Sequence, residues 1–92
     1  MGEIVVVSAK RTPFGRFGGS LKDIPSIQLG GMVIRKTLEE IPVVDNEVDI
    51  VIMGLCLPGA SLSPARQAVL AAGMPTETNA LTVDRACCSA LT

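Results

Sequence analysis

The chain has 92 residues, 48% of them hydrophobic, with eight basic and nine acidic side chains and a formal net charge of −1. That length holds one small domain or a part of a larger one, and the near-neutral balance gives no electrostatic pull toward nucleic acid or an anionic membrane. No apolar run approaches the ~18 residues of a membrane span, and the amino terminus lacks the h-region of a signal peptide.

With two Phe and neither Trp nor Tyr, a core must be built from Val, Ile, Leu, Ala and Met, a set suited to helices packed on a parallel sheet. Glu3-Ile4-Val5-Val6-Val7-Ser8 is nearly continuous apolar and β-branched, which predicts a strand buried on both faces. The segment from Ala9 to Asp23 is long for a βα connection, Gly-rich and basic. Its Gly15-x-x-Gly18-Gly19 matches neither the dinucleotide fingerprint nor the P-loop. The reading set beside phosphate contact is a surface loop pinned by Phe14 and Phe17.

Asp23 is expected to cap a helix with Pro25 in its first turn. Ile27, Gly31, Ile34, Leu38 and Ile41 recur at alternating spacings of four and three, a helical stripe that Pro42 ends. Gly30-Gly31 in its middle costs about 1 kcal/mol per glycine relative to Ala, which a close approach to a neighbouring backbone explains. Val48 to Met53 reads as a second strand, and Gly54 to Leu62 as the loop leaving it, with Cys56 an inert packed thiol between two leucines. Ser63 is expected to cap a second helix opened by Pro64, with Ala65, Ala68, Val69 and Ala72 on one face, Arg66 and Gln67 on the other, and Gly73 as its stop. After a connector from Met74 to Asn79, Ala80 to Val83 reads as a third buried strand, and a third helix is expected to start at Cys87 or Cys88.

A thiol where a strand turns into a helix lies beside unpaired N–H groups and the positive end of the helix dipole, both of which favour thiolate. Small residues packing helix on sheet give the same letters, so a reactive and a structural reading of the pair both stand. The three cysteines form no CxxC pair and there is no His, so no metal set is expected. The odd count and the adjacent pair argue against a disulfide framework and for a reducing, cytoplasmic setting. A Cys nucleophile usually works with a base, most often His, which this chain does not supply.

Strand and helix alternate as βαβαβα, the mark of an α/β parallel sheet whose ligands gather at the carboxyl ends of its strands. Only about one helical turn follows the third strand, too short to stand without tertiary support. The chain therefore reads as part of one domain, residues 1–92, or as a module completed by another chain.

Four stretches resemble the thiolases, the acyl-CoA C-acyltransferases, in family order: Val7 to Leu21; Val51-Ile52-Met53-Gly54; Pro64-Ala65-Arg66-Gln67-Ala68 with Gly73-Met74-Pro75; and Thr82-Val83-Asp84-Arg85-Ala86-Cys87-Cys88-Ser89-Ala90-Leu91. The resemblance covers nearly the whole chain and implies the amino-terminal quarter or so of such an enzyme, the opening βαβαβα of a layered fold. It implies that Cys87 is the acyl-accepting nucleophile, its backbone N–H one oxyanion donor, and that Cys88 packs. CoA thioesters are then substrates, there is no prosthetic group or metal, CoA-binding residues are unassigned, and the full-length protein forms dimers or tetramers. Asp84 stands where the family commonly has Asn, so its carboxylate either opposes the thiolate or is absorbed by Arg85. The family's histidines and second cysteine are absent from these 92 residues, so the chain alone is expected to be inactive. The alternatives are a ketoacyl synthase-like condensing enzyme and a non-catalytic acyl-CoA-binding or assembly module.

Overall fold

The computed structural model describes residues 2–56 and 63–92, so most of the loop expected after the second strand lies outside the described residues. The elements are α1 (Ser26–Glu39), a 3₁₀ turn (Asp45–Glu47), β1 (Ile50–Gly54), α2 (Pro64–Ala71), β2 (Asn79–Val83) and a closing 3₁₀ turn (Ser89–Leu91). The two strands pair in parallel, Ile50 opposite Asn79 through Gly54 opposite Val83, as expected for β-strands joined by a crossover helix. Val51, Met53, Ala80 and Thr82 are half-buried, while Ile50, Ile52 and Leu81 on the opposite face are exposed.

The core forms where α2 meets this sheet. Val69, Ala72 and Met74 are buried, with Ile34, Leu38, Val48, Val51 and Ala80 packed against them. Val69 has no exposed surface, and burying a side chain of that size is worth roughly 1.5–3 kcal/mol. Every apolar position expected on α2 is buried, and Gly31 is the buried member of the α1 stripe. Gly73, at φ +78°, ends α2: its N–H donates to Leu70 O and that of Met74 to Val69 O.

Both helix starts differ from expectation. Pro25, not Asp23, occupies the N-cap position of α1, and no side chain caps it. Ser63 does precede α2 but makes no side-chain cap bond. The Ala65 N–H donates instead to Thr82 Oγ1 at 3.1 Å, so a β2 hydroxyl satisfies the helix end.

The strand expected over Glu3–Ser8 is not formed. Residues 2–15 carry no regular structure, and Ile4 to Val7 are 66–102% exposed. A doubly buried strand needs neighbours at both edges and cover on both faces. Ordering a residue costs roughly 1–2 kcal/mol, and pairing along one free edge of a two-stranded sheet leaves the second edge and far face in water. Among the described residues the sheet is thus two-stranded where three strands were expected. Phe14 and Phe17 are also exposed and pin nothing; Phe14 instead lies under the Arg11 guanidinium, 4.9 Å from ring centroid to carbon.

Candidate active site

The site expected from the sequence lies where the chain leaves β2. Because the strands are parallel and in register at Gly54 and Val83, the loops after both strands emerge at the same end of the sheet. The Leu55 N–H reaches across to Val83 O at 2.9 Å and extends the ladder by one bond. The segment Asp84–Ser89 then folds into a tight turn whose backbone polarity is largely satisfied internally. Asp84 Oδ1 accepts the Ala86 N–H at 3.0 Å, Arg85 O accepts the Cys88 N–H at 3.3 Å, and Ala86 O accepts the Ser89 N–H at 3.2 Å. Ala86 adopts φ 52°, a left-handed conformation that costs an L-residue roughly 1–2 kcal/mol and that these bonds hold in place.

Ser89 ties the turn to the rest of the sheet. It is buried, and its Oγ accepts the Arg85 N–H at 2.7 Å. The hydroxyl proton lies within reach of two carbonyls, Ala86 O at 2.7 Å and Leu55 O at 3.2 Å. The second of these joins the loop after β1 to the turn after β2. Gly54 makes the approach feasible, since a Cβ there would lie 2.7 Å from Ala90 N and 2.8 Å from Ser89 C. The sequence marked Gly54 only as the start of a loop and as part of a short resemblance; its packing role depends on a contact 35 residues away and leaves no local signal.

Cys87 is exposed in this turn. Among the described residues its sulfur makes no recorded hydrogen bond; its backbone takes part in an isolated β-bridge with Arg85, and the N–H groups of Arg85, Ala86, Cys88 and Ser89 are all engaged. Cys88, expected to pack, is exposed as well, and its Sγ–H donates to Arg85 O at 3.0 Å. Cys56, expected to be buried, is exposed on the loop leaving β1. Leu55, one of the two apolar neighbours that suggested burial, follows β1 at the open end of a sheet whose Ile50, Ile52 and Leu81 face is exposed; Leu57, the other, lies outside the described residues.

Two further expectations change. No α-helix starts at Cys87 or Cys88: the turn leads into three residues of 3₁₀ helix, too short to sum a macrodipole. Asp84 Oδ1 accepts the Ala86 N–H, and no ion pair joins Asp84 to Arg85, whose guanidinium instead reaches Thr92 Oγ1 at 3.4 Å. A hollow of about 330 Å³ lies nearby, lined by Leu29, Val33, Met53, Leu55 and Ala68 among others, but no residue of 84–89 lines it.

Arg66 is a structural residue that the sequence placed on a solvent face. It donates to Thr78 O at 2.8 Å and Thr76 O at 2.6 Å, clamping the connector that delivers β2. At the other side of the molecule Arg35 grips Asp45 through two hydrogen bonds of 2.9 and 2.6 Å. The hydrogen bonds from Arg35 hold the Asp45 carboxyl below its ordinary pKa, against a smaller opposing effect of desolvation. Neither pair approaches the cysteines in sequence or through a recorded contact.

The family profile described as thiolase, N-terminal domain, matches residues 4–92. The chain belongs to this family. It is 46% identical over 92 residues to an acetyl-CoA acetyltransferase of Cupriavidus necator, a match covering 99% of this chain and 23% of that protein. A Pseudomonas aeruginosa acetyl-CoA acetyltransferase is 44% identical over the same shares, and a mitochondrial one from Danio rerio is 40% identical with 22% of its length covered. The crystal structure of Bacillus anthracis acetyl-CoA acetyltransferase superposes with a TM-score of 0.80 at 38% identity, covering 86% of this chain and 20% of that one. This thiolase chain thus spans less than a quarter of the length of the curated relatives it matches, about the share the sequence resemblance implied. The match also decides against the ketoacyl synthase-like alternative.

Proposed function

We propose that Cys87 is the acyl acceptor of a thiolase that moves acyl groups between CoA thioesters, forming or cleaving 3-ketoacyl-CoA. The observation that carries this reading is the turn itself. It presents the exposed Cys87 sulfur, with no hydrogen-bond partner recorded for it, at the carboxyl end of a parallel sheet, whereas the neighbouring Cys88 Sγ–H is given to Arg85 O. That is the place where α/β sheets gather ligands.

The chemistry suits those residues. The Cys87 thiolate attacks the thioester carbonyl, the new C–S bond forms, the carbonyl-to-CoA sulfur bond breaks, and CoA leaves as a thiolate of similar basicity. Forming a covalent acyl-enzyme divides one difficult transfer into two easier steps. On this reading the backbone N–H of the nucleophile donates to the oxyanion that develops on the carbonyl oxygen. The second step requires a general acid and base, and the 92 residues contain no His to supply one. The chain by itself therefore has no turnover, and residues 1–92 act as part of one domain. On the same reading no prosthetic group takes part, the full-length protein self-associates, and it works in a reducing cytoplasmic compartment.

The test is intact-mass analysis after exposure to excess acetyl-CoA. An acetyl adduct lost in Cys87→Ala and kept in Cys88→Ala supports the reading. An adduct that persists in Cys87→Ala overturns the assignment, and CoA-dependent ketoacyl cleavage by the purified chain overturns its inactivity.

A further inference from the structure

We propose that Cys87 and Cys88 together form a dithiol capture site for trivalent arsenic carried as an organic arsenoxide, R–As=O. Both thiols are exposed and in no disulfide, the Cys88 Sγ–H bonding only to the exposed Arg85 carbonyl, and they sit on one turn held by the Cys88 N–H to Arg85 O bond and by buried Ser89. The peptide between them is trans, like every described peptide, so their Cα atoms are about 3.8 Å apart. An ordinary disulfide needs roughly 4.4–6.8 Å. A direct S–S bond between neighbours is therefore strained and easily reduced, which leaves the pair as thiols. An arsenic atom inserted between the sulfurs enlarges the ring by one member and relieves that strain.

The ligand count selects the same class of partner. Structural zinc takes four ligands, and among the described residues no group of three or more His, Cys, Asp or Glu gathers around a common point. A two-sulfur site suits a thiophilic centre that brings its remaining substituent with it. In the reaction both thiol protons leave with the arsenoxide oxygen as water, two As–S bonds form, the As=O bond breaks, and arsenic stays trivalent, so no oxidant or reductant is required. Once the first sulfur is attached, the second meets the arsenic at an effective concentration of about millimolar or more, as for any short tether. A monothiol competitor at far lower concentration does not reverse the capture. This requires no acyl chemistry; where Cys87 is also the acyl acceptor, capture removes it from the reaction.

The experiment treats the purified chain with one equivalent of phenylarsine oxide and reads intact mass, then challenges the adduct with a monothiol and with 2,3-dimercaptopropanol. The expected result is one phenylarsenic group replacing two protons, stable to the monothiol and removed by the dithiol. The monothiol-stable adduct is expected to be kept in Cys56→Ser and lost in Cys87→Ser and in Cys88→Ser, with peptide mapping placing the blocked thiols at 87 and 88 in the unsubstituted chain. Three results overturn the proposal: no adduct, an adduct stripped equally well by the monothiol, or dependence on Cys56. Acetylation of Cys87 is read as a different mass, so failure of the acyl-transfer reading and failure of this one are separate outcomes.

Discussion

The two adjacent glycines of α1 respond in opposite senses to the same substitution. A Cβ at Gly31 lies 3.0 Å from Ala71 Cβ and 3.2 Å from both Ala71 C and Ala72 N, so it presses on the backbone of α2. Placing Ala there gains about 1 kcal/mol of helix propensity. Overpacking a close contact costs about 1–3 kcal/mol, and the obstacle here is backbone that cannot rotate away. The balance for Gly31→Ala is a loss of about 1 kcal/mol. At Gly30 the nearest atoms are the Met53 methyl at 3.1 Å and Ala68 Cβ at 3.4 Å. A methionine tip swings aside at little cost, so Gly30→Ala keeps most of its propensity gain. Urea unfolding followed by circular dichroism compares the midpoints at a common slope. A Gly31→Ala chain as stable as the parent, or as stable as Gly30→Ala, refutes the close helix approach.

Three further substitutions test other contacts. Asp45→Asn removes the carboxylate gripped by Arg35. Because folding lowers the Asp45 pKa, the advantage of the parent over this variant is full above about pH 4, the unfolded value. It fades as pH falls through the folded value, and an advantage that grows on acidification contradicts the sign. Arg66→Ala frees the Thr76 and Thr78 carbonyls and is expected to cost about 1–3 kcal/mol and to speed amide exchange in β2, with Arg66→Lys restoring little because an ammonium lacks the fork. Unchanged exchange in Arg66→Ala counts against the clamp. Ser89→Ala leaves the Arg85 N–H without its partner at an expected cost of about 1–3 kcal/mol, and a neutral result in thermal unfolding removes Ser89 from its tying role.

How far the sequence carries the fold depends on whether each signal is local. The α2 face and the Gly73 stop are legible because each rests on spacing within one element, and the parallel pairing of β1 with β2 follows from the helix between them. The Ile4–Val7 run is not legible, since an apolar β-branched stretch states a preference for burial without naming the strands that bury it. Ser63 misled for a related reason: its position was right, but the helix N–H found a better acceptor in Thr82, 17 residues away. At the site, Cys87 came from the order of four motifs, whereas the turn that holds it depends on Ser89 reaching Leu55 and on Gly54 yielding space. Those contacts join two loops and have no signature along the chain.

The rate at which each cysteine is alkylated by iodoacetamide in the folded chain, resolved by peptide mass, tests the turn most directly. The Cys88 sulfur is bonded to Arg85 O, and that of Cys87 is exposed without a recorded partner. Cys87 is expected to react ahead of Cys88, with the difference vanishing in denaturant. Cys88 reacting as fast as Cys87 in the folded chain contradicts the claim that this turn singles out one of its two thiols.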